Sequence, residues 1–122
     1  MQSQLKDVDR LADIAEFAFK IRGALASFTY ETFTENELAK WGMVKWLENI
    51  GEAAYQISAE TKQEFADVEW KMMAGARHVY VHDYFRIDWK LVWQSLNSVN
   101  FETLASRADE IKNILKERYS II

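Results

Sequence analysis

Between Glu69 and Phe85 the chain gathers Arg77, His78, His82, Asp83, Tyr80 and Tyr84, and these include both of its histidines. Nowhere else do so many groups able to move protons or bind phosphate stand so close together. Arginine presents a planar fork that holds phosphate oxygens and offsets charge building in a transition state. Histidine titrates near neutrality, so it can take a proton from a hydroxyl or return one to a leaving group. Arg77 and His82 therefore suit phosphodiester chemistry. On RNA the 2′-hydroxyl is a built-in nucleophile, and no metal is needed to generate one. A spacing of five sets two side chains about 140° apart on a regular helix. The pair aims well only if the helix ends before His82 or a second copy of the chain completes the site. An ion-paired arginine and a helix-end histidine would give the same pattern without chemistry.

His78 and His82 are four apart, the spacing of two metal ligands on one helical face. A metal site needs at least a third ligand, and the sequence offers no further histidine and no cysteine. We therefore expect neither metal nor cofactor. Glu48, Asn49 and Glu52 flank Ile50-Gly51, and Glu52 is a candidate anchor for Arg77. Trp46, Trp70, Trp89 and Trp93 could stack bases, but their helical spacing reads more simply as core or interface.

The elements that must position these groups are helices. The chain of 122 residues has no proline and four glycines, and it is rich in good helix formers. One all-α domain over residues 1–122 is expected, an up-and-down bundle of four main helices with the last split near Asn97–Asn100. The first helix runs from Ser3 to about Ser27. Leu11, Ile14, Ala18, Ile21 and Leu25 form one seam, and Leu5, Val8, Ala12, Ala15 and Phe19 form a second. A helix apolar over so much of its circumference is covered on two sides, within the bundle or by another subunit. Phe28 to Thr34 reads as a loop, with Thr34 and Glu37 as a capping box opening a second helix that reaches Ser58. Gly51 in its middle costs about 1 kcal/mol against alanine, which implies close approach by another helix. A short helical turn fits within residues 59–68, and a third helix begins near Val68–Trp70. Asp88 and Asn100 read as N-caps of later segments.

Fifteen basic residues stand against nineteen acidic ones, a net charge of −4. Broad binding to nucleic acid by phosphate neutralisation is therefore disfavoured, and contact with RNA must be local. No apolar run is long enough to span a bilayer and no signal-peptide pattern is present, so we expect a cytoplasmic protein with no membrane contact. Zero cysteines exclude a disulfide framework and thiol nucleophiles.

The run Arg77-His78-Val79-Tyr80-Val81-His82-Asp83-Tyr84 matches Arg-x-x-x-x-His-x-Tyr and resembles the signature of HepT-like toxins in the HEPN superfamily. The likeness extends to Met43–Ser58 with its Leu-Glu-Asn-Ile-Gly-Glu-Ala-Ala core. Val68-Glu69-Trp70, Met73-Ala74-Gly75 and Tyr84-Phe85-Arg86-Ile87-Asp88 follow in the family's order. The resemblance implies a helical-bundle homodimer acting as a metal-independent ribonuclease, the toxin of a type II toxin–antitoxin system, with its active cleft where two motifs meet. By position, Arg77 and His82 would be the catalytic pair. Tyr84 would be the tyrosine to which a cognate nucleotidyltransferase antitoxin transfers AMP. His78 stands where the family often has asparagine, so its supporting role is a departure from the pattern. Some relatives are non-catalytic substrate-binding subunits of nucleotidyltransferases, which gives the alternative reading of an interaction module.

Overall fold

The computed structural model describes residues 2–79 and 87–120, with positions 2, 78 and 79 described for the backbone alone. Seven helices account for nearly all of them, with no strand among the described residues. They are α1 (Gln2–Leu25), α2 (Tyr30–Glu35), α3 (Glu37–Gln56), α4 (Ala59–Glu64), α5 (Trp70–Val79), α6 (Trp89–Ser98) and α7 (Phe101–Tyr119). The four main helices are α1, α3, α5 and a fourth divided into α6 and α7. α1 packs along α7 on one side and α3 on the other, and α3 carries α5. Short connections favour neighbours running antiparallel.

The primary seam of α1 is the centre of the core: Leu11, Ile14, Ala18 and Ile21 are fully buried. Met43, Val44, Leu47, Ile50 and Ala54 meet it from α3, and Ala108, Ile111 and Leu115 from α7. The second seam is covered only in part. Val8, Ala12 and Ala15 are half-buried, whereas Leu5 and Phe19 are exposed, Phe19 to 64%.

The break between α6 and α7 falls where expected. Asp88 Oδ1 accepts from the Leu91 N–H at 3.0 Å, and Asn100 Oδ1 accepts from the Thr103 N–H at 2.9 Å. Each cap satisfies a backbone donor that the first turn leaves without a partner. The region before α3 differs from its expected form. Phe28–Thr34 is not simply a loop, because Thr29 and Thr32 form a reciprocal capping box that opens the six-residue α2. Thr34 is not the cap of α3: its hydroxyl donates to Glu31 O inside α2. Asn36 takes that role, accepting from the Ala39 N–H at 3.0 Å.

α2 lets Phe33 drop fully into the core, with its ring 5.1 Å from Trp93 and 6.2 Å from Trp89. Trp41 meets Trp89 edge-on at 5.2 Å, and the Lys40 ammonium lies 4.7 Å above the Trp89 ring. This aromatic group joins α6 to α2 and to the start of α3. Trp70 is buried in α5, its indole N–H donating to Phe65 O at 3.0 Å. These tryptophans do packing work.

At the opposite corner, buried Asp7 of α1 accepts from the Ser58 N–H at 3.0 Å and from the Ser58 and Thr61 hydroxyls at 2.6 Å each. An acceptor that satisfies three donors at once fixes the α3–α4 corner onto α1.

Candidate active site on α3 and α5

Gly51 determines how close α5 comes to α3. A Cβ built on Gly51 would lie 2.7 Å from the Arg77 backbone nitrogen, 3.0 Å from Met73 O and 3.2 Å from Arg77 Cβ. Two of these neighbours are backbone atoms, so no rotamer change makes room. The glycine expected to admit a neighbouring helix does so, and the residue it admits is Arg77.

One helical turn beyond Gly51, on the same face of α3, stands Tyr55. The Arg77 guanidinium carbon lies 3.4 Å from the centre of the Tyr55 ring. That is well inside the roughly 6 Å within which a cation is attracted by an aromatic face. Arg77 is half-buried and Tyr55 is 52% exposed, so the stack sits at the surface where a phosphate can reach it. The ring restrains the guanidinium from one face, and a guanidinium is the side-chain group best matched to paired phosphate oxygens. The sequence points to polar neighbours of Gly51 as anchors for Arg77, and the structure adds Tyr55, which the sequence does not single out. The available signal was its place on the same adjoining face of the helix, four residues after Gly51.

Glu52 occupies the next position round α3. It is exposed and accepts from the Gln56 amide at 3.2 Å. With Arg10, Asp13, Phe17 and Asn49 it lines a cavity of about 420 Å³ between α1 and α3. Burial, and then the neighbouring Glu16 and Asp9, hold the Asp13 carboxyl above its ordinary value, and Arg10 opposes them. His78 lies within α5 with only its backbone described, and His82 and Tyr84 lie outside the described residues. Among the described residues no group of three or more His, Cys, Asp or Glu side chains could hold a metal ion. No described helix is long and apolar enough to cross a membrane.

The all-α bundle, with Arg77 at the start of an Arg-x-x-x-x-His-x-Tyr run, is consistent with an HEPN-like fold. The family model described as ribonuclease HepT-like matches residues 9–117, and the chain belongs to that family. A Methanocaldococcus jannaschii protein named as a candidate RNase is 34% identical over 84 residues, 69% of this chain and 77% of its own. A second from the same organism, named likewise, is 33% identical over 85 residues, 70% of each chain. A Thermococcus cleftensis protein named "probable ribonuclease HepT" is 30% identical over 88 residues, 72% of this chain and 80% of its own. No solved structure matches the chain.

Proposed function

We propose that this protein is a metal-independent endoribonuclease, the toxin of a type II toxin–antitoxin pair, active as a homodimer. The observation that carries the reading is the Arg77–Tyr55 contact over Gly51, which holds the motif arginine half-buried at the α3–α5 crossing. Membership of the ribonuclease HepT-like family and the names of the relatives support it.

In the reaction, the 2′-oxygen of a ribose attacks the adjacent phosphorus. The new O2′–P bond forms as the P–O5′ bond breaks, leaving a 2′,3′-cyclic phosphate and a free 5′-hydroxyl. One His82 takes the 2′ proton and the His82 of the second copy gives a proton to the departing 5′-oxygen, so the site needs both copies. Arg77 offsets the charge that develops on the non-bridging oxygens. The exposed Leu5 and Phe19 of α1 support a second subunit, since they complete an apolar seam that the chain does not itself cover.

The antitoxin in this reading is a nucleotidyltransferase. The Tyr84 phenol oxygen attacks the α-phosphorus of ATP, pyrophosphate leaves, and AMP remains on the tyrosine. Its phosphate would compete for the Arg77 fork, so inhibition requires no change of fold.

The test uses purified protein on RNA. Arg77→Ala and His82→Ala are each expected to lower the cleavage rate by about 10²–10⁴-fold, as removal of one catalytic group typically does. EDTA should leave the wild-type rate unchanged. Cleavage that disappears with EDTA and returns with zinc or magnesium would overturn the metal-free mechanism. Absence of cleavage, with intact binding to the nucleotidyltransferase, would favour the interaction-subunit alternative.

A further inference from the structure

Tyr55 faces two places at once. It receives Arg77, and it also forms part of the wall of a cavity of about 530 Å³ between α3, α4 and α5, with Lys62, Lys71, Met72 and Trp70. The geometry points to this cavity as a subsite for single-stranded RNA, taking the nucleotide next to the phosphate held by Arg77. The inference rests on the ribonuclease reading and extends it from the reacting phosphate to the strand on one side of it.

Three observations carry it. The first is continuity: the ring shared by the arginine and the cavity places both within reach of one strand. The second is size, since about 300–1,000 Å³ is the range of small-ligand sites and a nucleotide falls within it. The third is the chemistry of the lining. Non-specific single-strand sites combine an aromatic or apolar surface for the base with cations along the backbone. Here Tyr55 and Met72 are 52% and 55% exposed, and Lys62 on α4 and Lys71 on α5 flank them.

Charge adds to the lining. Lys20, Arg22, Lys40, Arg107, Lys112 and Arg118 each lie against a carboxylate. Lys62 and Lys71, like Lys6, Lys45, Lys90 and Lys116, form no ion pair among the described residues; what sets these two apart is that they share one cavity wall with Tyr55, where Glu69 is the one acidic residue among the described lining. In a chain of net charge −4, two such lysines beside a phosphate-binding arginine constitute a local cationic track of the kind RNA requires.

The experiment measures binding of a fluorescein-labelled, fully 2′-O-methylated RNA oligonucleotide, which cannot be cleaved, as a function of salt. Each phosphate contact on a single strand contributes about 0.7 to the slope of log K against log salt. Lys62→Gln/Lys71→Gln is expected to flatten that slope by about 1.4, and each single substitution by about 0.7. The single variants serve if the double variant loses its helical circular dichroism. In a parallel sample, 5-iodouridine beside the reacting linkage should photo-crosslink to Tyr55 or Met72 by peptide mapping.

An unchanged slope with crosslinks elsewhere, while Arg77→Ala still weakens binding, would overturn the subsite and leave the ribonuclease reading standing. Wild-type protein that neither binds the oligonucleotide nor cleaves RNA would overturn both.

Discussion

Tyr55 meets the Arg77 guanidinium from 3.4 Å away and restrains it from one face. A cation–aromatic contact contributes about 0.5–1 kcal/mol when exposed and about 2 when desolvated, which corresponds to roughly 2- to 30-fold in an equilibrium or a rate. Tyr55→Leu should therefore lower kcat/KM for RNA by a factor in that range. Tyr55→Phe keeps the ring face and should restore most of the loss, because the phenol hydroxyl takes no part in the stack. A leucine variant as active as wild type would show that Arg77 is oriented by something other than the ring. Tyr55 was hard to select from sequence because residues 55 and 77 are distant in the chain. Only the crossing of α3 and α5 brings them together. Arg77 stands out as a candidate in the sequence by its residue type and its place in the motif, and the structure shows which ring it meets.

Among the elements, the α3–α5 crossing depends on the missing side chain at Gly51. Alanine there would gain about 1 kcal/mol in helix propensity but would force apart two backbones that approach within 2.7 Å of the added carbon. Overpacking of this kind typically costs about 1–3 kcal/mol. Gly51→Ala should thus be net neutral to destabilising by about 2 kcal/mol in urea unfolding. Whatever the net stability, it should lower RNA cleavage by displacing Arg77. Full activity in Gly51→Ala would mean the crossing has slack that the geometry does not show. The sequence made this glycine conspicuous, as it did the Asp88 and Asn100 caps, because a local signal and a regular period coincide at each. It concealed α2, because six residues are too few to display a helical period, and the Thr29–Thr32 box lies where Thr34 and Glu37 offered a decoy. It also concealed the Asp7–Ser58–Thr61 group, whose partners lie more than fifty residues apart.

Across the whole molecule, α1 and α7 are tied through one carboxylate. Arg118 of α7 donates to Glu64 of α4 at 2.8 and 2.6 Å, and Gln4 of α1 donates to the same group at 2.8 Å. Tyr119 adds a hydrogen bond to Gln4 at 2.6 Å, so α1, α4 and α7 meet at one point. The bonds from Arg118, and then from Gln4, hold the Glu64 carboxyl down to about 2 from its ordinary 4.5. A carboxyl with a lowered folded-state value binds protons more readily in the unfolded chain. Its stabilising contribution is therefore full above about pH 4.5 and falls away as the pH drops towards 2. The Asp67 carboxyl is also lowered, by hydrogen bonds from Arg107, and it adds to the same acid limb. Glu64→Gln should separate the two contributions. The gap in Tm between wild type and variant should stay constant above about pH 5, narrow through the acid range, and level off only below about pH 2, where folded Glu64 becomes mostly protonated. Added salt should shrink the gap near neutral pH, because both partners are partly exposed and their attraction is screened. A gap that does not change between pH 5 and pH 2 would show that the ties among α1, α4 and α7 depend on packing and not on the charge of Glu64.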